Sequence, residues 1–199
     1  MKLSKHTALV IIDAQEGTKE GVHWGGNRNN PQAENNISNL LEHWRKVHLP
    51  VIVVQHCSRD SKSPLRPDRP GNKLMDIVQL RPGEKLVQKA TANAFINTDL
   101  SQYVEQKKID GLVVTGFVTN NSVEATARHA GDSGINTTVV SDATACFDKV
   151  TMNGTKFPSD VVHALSLANL KDEYATIMTT EDLLAALKPI PHNLKSTIE

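Results

Sequence analysis

The chain has 199 residues, 39% of them apolar and 22% charged, a composition suited to one globular domain with a sizeable core. Its 22 Lys and Arg balance 22 Asp and Glu, so it lacks the basic excess of a nucleic-acid binder. At 4%, aromatic residues are too few for base-stacking platforms. Two cysteines, Cys57 and Cys146, make neither a disulfide framework nor a zinc cluster. Before Asp13 the amino terminus carries only the apolar run ALVII, too short for a signal peptide or a membrane span. The expected compartment is therefore the reducing cytoplasm, with no membrane partner.

Short, β-branched apolar runs recur at 7–12, 51–54, 85–87, 112–115, 137–140 and 175–178. They do not alternate with polar residues, which is the pattern of strands buried on both faces of a parallel sheet. Helical periodicity falls between most of them. Residues 33–47 place Ile37, Leu40, Leu41, Trp44 and Val47 on one face, and 122–131 is short and Ala-rich. Residues 160–170 place Val161, Val162, Leu165 and Ala168 on one side, and 180–187 reads as a last helix with Thr180 as its cap. Strands alternating with helices predict an α/β fold: one three-layer α/β/α domain over residues 1–199, with a Rossmann-like, mainly parallel six-stranded sheet. The segment 58–84 breaks the rhythm with Pro64, Pro67, Pro70 and Pro82, and a loop this long is usually functional or mobile.

Ligands of such folds bind beyond the carboxyl ends of the strands. The residues there are Asp13 and Gln15, then Gln55 and His56, Lys89, the segment 116–122, and Ser141 with Asp142. A carboxylate at the end of a buried strand is costly unless paired or functional, although Asp13 serves equally as a turn cap. Lys89 is either its positive partner or a lysine reaching for solvent. In VVTGFVTNNSVEATAR (113–128) a strand runs through Gly116 and a tight turn into a helix, with Asn121 and Glu124 spaced as a capping box. Ser122 then meets free backbone N–H groups at the positive end of the helix dipole, where an attacking alkoxide or an oxyanion is stabilised. An ordinary helix-start serine has the same spacing.

Six segments together resemble the isochorismatase-like hydrolase superfamily, the cysteine hydrolases. They are ALVIIDAQ (8–15), SPLRP with PG (63–67, 70–71), VQKATANAF (87–95), VVTGFVTNNSVEATARHAG (113–131), VVSDATACFD (139–148) and VVHALSLANL (161–170). The SPLRP loop and the TNN-x-VEATAR form look most like the amide-hydrolysing branch. The resemblance implies an Asp–Lys–Cys triad carried by Asp13, Lys89 and position 122, where this chain has Ser122 instead of cysteine. It also implies a cis peptide between Val118 and Thr119 that aims the Thr119 and Ser122 amides into an oxyanion hole. The family reaction is hydrolysis of small-molecule C–N bonds through a covalent acyl-enzyme, without a cofactor.

A thiol ionises near about 8.5, and lower beside a lysine and a helix start, whereas a hydroxyl needs a placed base. Three explanations of Ser122 stand open. It is a Cys→Ser change that silences the enzyme, a natural serine in a slow enzyme or a binding-only relative, or part of an isochorismatase-type vinyl-ether hydrolase using Asp13 as acid. Cys57 and Cys146 read as small buried apolar residues rather than substitute nucleophiles. Nicotinamidase relatives carry an Asp-x-His metal motif after the second strand. Here that region reads Gln55-His-Cys-Ser-Arg59, and no metal is expected. No glycine-rich phosphate loop is present, so no nucleotide cofactor is expected either. The expected partner is a small-molecule substrate walled by Gln15, Trp24, His56, Arg59, Phe95 and Val118. Arg59, Lys62, Arg66, Arg69 and Lys73 form either a solvated charged loop or a dock for an anionic group. The stretch 21–30 is a candidate lid. The family's habit of forming dimers or tetramers implies a homo-oligomer, with 123–130 and 147–157 as candidate contact surfaces.

Overall fold

β1 (Thr7–Ile12) carries six side chains that are all buried, which is possible only for a strand covered on both faces. A computed structural model describes residues 4–187, so the expected domain is followed over that range. β1 pairs in parallel with β2 (Val51–His56) on one side and with β4 (Gly111–Phe117) on the other. β3 (Lys85–Lys89), β5 (Asn136–Ala145) and β8 (Thr176–Met178) extend the sheet to the order β3-β2-β1-β4-β5-β8, parallel throughout.

The two-residue period of a strand sends alternate side chains to opposite layers. Leu9 and Ile11 join the core formed with α2 (Ala33–Lys46) and α6 (Thr180–Leu187). Ala8, Val10 and Ile12 join the core formed with α3 (Leu100–Gln106), α4 (Glu124–Asp132) and α5 (Ser159–Leu170). Each fully buried Val, Leu or Ile contributes about 1.5–3 kcal/mol of transfer free energy. Trp44 is fully buried in the first core, and its indole N–H donates to the Thr7 carbonyl at 3.1 Å. The three-layer expectation thus holds over the described residues.

Several local expectations are corrected. α3 was not expected, because its seven residues bury only Leu100 and Val104, too few positions to display a period. The four-residue α1 (Gly21–Trp24) and the two-residue strands β6 (Lys149–Val150) and β7 (Lys156–Phe157) are shorter still. Asn121 caps no helix. It lies inside one wide turn, Thr119–Val123, and Glu124 instead binds Arg128 at 2.8 Å and the Ser166 hydroxyl at 2.6 Å. Thr180 is the first residue of α6. The capping oxygen is that of Thr179, which accepts the Asp182 N–H at 3.2 Å. On α5 the buried side chains include His163, Ser166, Leu167 and Leu170, while of the apolar residues grouped on one side, Val161, Leu165 and Ala168 face solvent and Val162 is half-buried.

The 58–84 loop folds back over the carboxyl end of β1. Asn72 is its anchor, donating to the His56 and Leu65 carbonyls at 2.9 and 2.8 Å. The Asn72 carbonyl accepts the Gln15 and Gln55 side-chain amides at 2.8 and 2.9 Å. Backbone bonds from Met75 N–H to Ala14 O and from Glu16 N–H to Lys73 O, both 2.9 Å, complete the attachment. The segment is therefore a fixed wall over the sheet.

Candidate active site

The strand ends gather the expected polar residues. Asp13 follows β1 in a left-handed conformation (φ 50°), which Asp tolerates better than bulkier residues. Lys89 ends β3, and its ammonium donates to Asp13 Oδ2 at 2.8 Å, with side-chain exposures of 0% and 5%. The same nitrogen lies 3.1 Å from Ser122 Oγ, 3.1 Å from the Thr91 carbonyl and 3.2 Å from His56 Nδ1. An ammonium has three N–H donors, so these four acceptors share them. Asp13 Oδ1 is buried and has no hydrogen-bond partner among the described residues.

Ser122 is held by the turn Thr119–Val123, in which the Asn121 and Val123 N–H groups both donate to Val118 O, at 3.0 and 3.4 Å. Entry to this turn depends on Gly116, whose φ is 112° and where an added Cβ would lie 2.0 Å from the Ile12 carbonyl oxygen. The cis peptide is Phe117–Val118, one bond earlier than expected, because β4 already ends at Phe117. Thr119 is fully buried and turned away. Its hydroxyl meets His163 Nδ1 at 2.9 Å and its carbonyl accepts Ser166 Oγ at 3.3 Å.

A cavity of about 90 Å³ opens over Asp13 and Ser122. Trp24, His56 and Val118 line it as expected. Thr18, Leu65, Ala92, Phe117 and Asn121 also line it and were not singled out as wall residues from the sequence. Phe117 was within reach of sequence reasoning, since it lies in the strand-end segment. Thr18 and Leu65 arrive through long loops and leave no local signal. The Trp24 indole is aimed by its N–H bond to Gly17 O at 2.9 Å and stacks on Phe147.

Three expected wall residues are not brought to the cavity. Gln15 is fully buried, and its amide joins β1 to β2 through the His56 backbone, at 2.7 Å from N–H and 3.0 Å to the carbonyl. Arg59 is solvent-exposed. Phe95 stacks on His129 at 4.5 Å in the layer behind the sheet. The charged loop is solvated: Lys62, Arg69 and Lys73 are exposed and Arg66 pairs with its neighbour Asp68 at 2.8 Å, while Leu65 is the loop's contribution to the cavity.

Burial, reinforced by the Lys89 charge, pushes the His56 imidazole below its ordinary value, and burial does the same to His163. Both rings are therefore neutral at pH 7. His56 Nδ1 faces the Lys89 nitrogen at 3.2 Å. Burial drives the Cys146 thiol up to about 12, and the thiol donates to Ser159 O, so it is an inert core group. No group of three or more His, Cys, Asp or Glu side chains able to hold a metal occurs among the described residues. No described helix is long and apolar enough to cross a membrane.

Residues 7–182 match the isochorismatase domain. An uncharacterized isochorismatase family protein of Bacillus subtilis is 37% identical over 182 residues, covering 92% of this chain and 96% of its own. Nicotinamidase 3 of Arabidopsis thaliana is 27% identical, covering 92% and 90%. A crystal structure of an isochorismatase-family protein from Chromobacterium violaceum superposes with a TM-score of 0.89 at 40% identity, covering 96% of this chain and 98% of that one. Matched by the family's domain over residues 7–182 and aligned with these relatives over nearly its whole length, the chain belongs to the isochorismatase family of hydrolases.

Proposed function

We propose that the protein is built for hydrolysis of C–N bonds in small, neutral amide-type molecules, with position 122 as the nucleophile position, weakened here by serine. The observation that carries this reading is the juxtaposition of Asp13, Lys89 and Ser122 around one small cavity. The Asp13 charge is balanced by Lys89 beneath it, and among the described residues no other carboxylate and no lysine or arginine lines the cavity. Its remaining wall mixes apolar Trp24, Leu65, Ala92, Phe117 and Val118 with uncharged Thr18, Asn121, Ser122 and a neutral His56, which suits a neutral carboxamide better than a substrate bearing several carboxylates. The kinship with a nicotinamidase points the same way.

In this reading the group at position 122 attacks the carboxamide carbon and gives its proton to Asp13 Oδ1, the carboxylate oxygen without a partner. The Ser122 amide holds the oxyanion, and with the cis bond at Phe117–Val118 and Thr119 turned away, its second donor is the Val118 N–H at the cavity wall rather than that of Thr119. Asp13 passes the proton to the departing nitrogen, and ammonia or an amine leaves. Water then cleaves the acyl-enzyme, releasing the carboxylic acid and restoring the side chain. Lys89 donates toward position 122, so it stabilises a thiolate there but does not deprotonate a hydroxyl. That is the physical reason the serine form is slow. Trp24, His56 and Val118 shape the substrate pocket, no metal or organic cofactor takes part, and the reaction belongs to the cytoplasm.

The test is Ser122→Cys assayed for ammonia release on a panel of small amides. Turnover that appears with cysteine and vanishes with Asp13→Asn supports the reading. Absence of both turnover and a thiol adduct with every amide refutes it and leaves a binding protein on the same scaffold. Vinyl-ether cleavage by the serine form replaces it with the acid-catalysed isochorismatase reaction, with Asp13 as proton donor.

A further inference from the structure

The wide turn Thr119–Val123 that presents Ser122 does not hold itself. It closes through an i to i+5 bond, from the Glu124 N–H to the Thr119 carbonyl, a geometry that is rare and concentrates at functional sites. Within it, Asn120 Oδ1 is buried without a hydrogen-bond partner among the described residues, a cost that most turns avoid. The support comes from α5. That helix turns His163, Ser166, Leu167 and Leu170 inward, the i, i+3, i+4, i+7 spacing of a core stripe. The first two of these buried positions are polar, and both meet the same residue. His163 Nδ1 lies 2.9 Å from the Thr119 hydroxyl, and Ser166 Oγ lies 3.3 Å from the Thr119 carbonyl.

We propose that His163 and Ser166 are positioning residues, which clamp this turn from behind so that the group at position 122 stays against the Lys89 ammonium. Neither lines the cavity, so they act through Thr119 and Glu124. The clamp is itself fixed. The Asn30 amide lies 3.4 Å from His163 Nε2 and is anchored on the Ser141 and Thr144 carbonyls at 2.8 and 2.7 Å. The one Ser166 hydroxyl hydrogen is shared between the Thr119 carbonyl and Glu124 Oε2 at 2.6 Å, and Glu124 is paired with Arg128 at 2.8 Å. Either bond ties α5 to the turn, because the Glu124 N–H is what closes it.

Leucine at both positions would give a cheaper core, since a buried polar group repays its desolvation only through its bonds. Here those bonds are made to the turn that carries the nucleophile position, and a departure from the apolar pattern is expected where function requires it. What the clamp sets is the 3.1 Å between Lys89 Nζ and Ser122 Oγ. Lys89 reaches that point from β3 and the turn reaches it from β4, so a loose turn opens the gap. A displacement of about 1 Å costs a reaction ~100-fold.

The proposal rests on position 122 as the nucleophile position, and it is tested in the full chain carrying Ser122→Cys. Alkylation by iodoacetamide, a small neutral carboxamide, is followed at residue 122 by peptide mass spectrometry from pH 5 to 9.5, with a thermal scan of each protein. Added to this background, His163→Leu is expected to raise the midpoint of the pH profile by at least ~1, toward the ordinary thiol value of about 8.5. The rate at pH 7 falls at least ~3-fold, because the scarcer thiolate is partly offset by its greater nucleophilicity. Ser166→Ala moves both in the same direction. His163→Asn, whose amide reaches the place of Nδ1, keeps the rate within ~2-fold of the parent. A merely structural role lowers the melting temperature and leaves the midpoint in place. An unchanged midpoint in both His163→Leu and Ser166→Ala therefore overturns the proposal, however much stability is lost. So does a midpoint displaced as far in His163→Asn as in His163→Leu, or one already near 8.5 before α5 is altered. Should His163→Leu fail to fold, Ser166→Ala decides, because it deletes a single oxygen. Alkylation needs no amide substrate, so an absence of ammonia release refutes the proposed reaction and leaves this result standing.

Discussion

Replacing Lys89 with Met removes the one ammonium that faces the buried carboxylate of Asp13. At 2.8 Å and an effective dielectric constant of ~20, the gross attraction is roughly 6 kcal/mol, and desolvation of the two ions offsets part of it. The single variant does not recover that desolvation, because Asp13 stays 5% exposed on its side chain and its other oxygen already lacks a partner. Breaking a buried pair from one side costs about 3–5 kcal/mol. For a chain of this size that lowers the melting temperature by roughly 6–20 °C. Asp13→Asn/Lys89→Met removes both charges, and its urea midpoint recovers most of the loss, leaving a coupling energy of at least ~2 kcal/mol in the cycle. If the double variant loses the sum of the two single losses, the two groups are not energetically paired and the reasoning fails.

Stability falls as the pH drops below about 6.5, because the unfolded chain then binds protons on histidines that the folded chain keeps neutral. The slope stays under ~1.4 kcal/mol per pH unit for each of His56 and His163, smaller for His56, whose partly exposed ring is screened by solvent. Urea midpoints at pH 7.5 and 5.5 measure it. His56→Gln and His163→Gln each flatten the slope, and equal midpoints at the two pH values refute the assignment. Gly116→Ala costs at least ~3 kcal/mol, since its φ of 112° and the Ile12 oxygen 2.0 Å from an added Cβ forbid the side chain without shifting β4 from β1. A thermal scan showing a loss below ~1 kcal/mol would mean the close approach is not there.

The sheet was legible because burial on both faces leaves unbroken β-branched runs, and six such runs became six strands in one parallel sheet. The meeting of Asp13, Lys89 and Ser122 was legible for a related reason: a polar residue at the end of such a run sits at the carboxyl edge of the sheet, where these three side chains converge. The rest of the site depends on tertiary contacts, which leave no such trace. Gln15 and Leu65 illustrate the limit. Gln15 follows a strand and looks like a wall residue, yet its amide is used up on the His56 backbone and Asn72. Leu65 sits in a proline-rich loop without periodicity, and its carbonyl is held from a distance by the Asn72 side chain and the Ser58 N–H. α5 shows the converse error. Its stripe of Val161, Leu165 and Ala168 has the spacing of a core face, yet all three are exposed. The inner face of α5 includes polar residues, because His163 and Ser166 bond the turn that carries Ser122. That leaves the helix's most regular apolar stripe on the outside, because the positions that face the sheet are taken by the side chains that hold the turn.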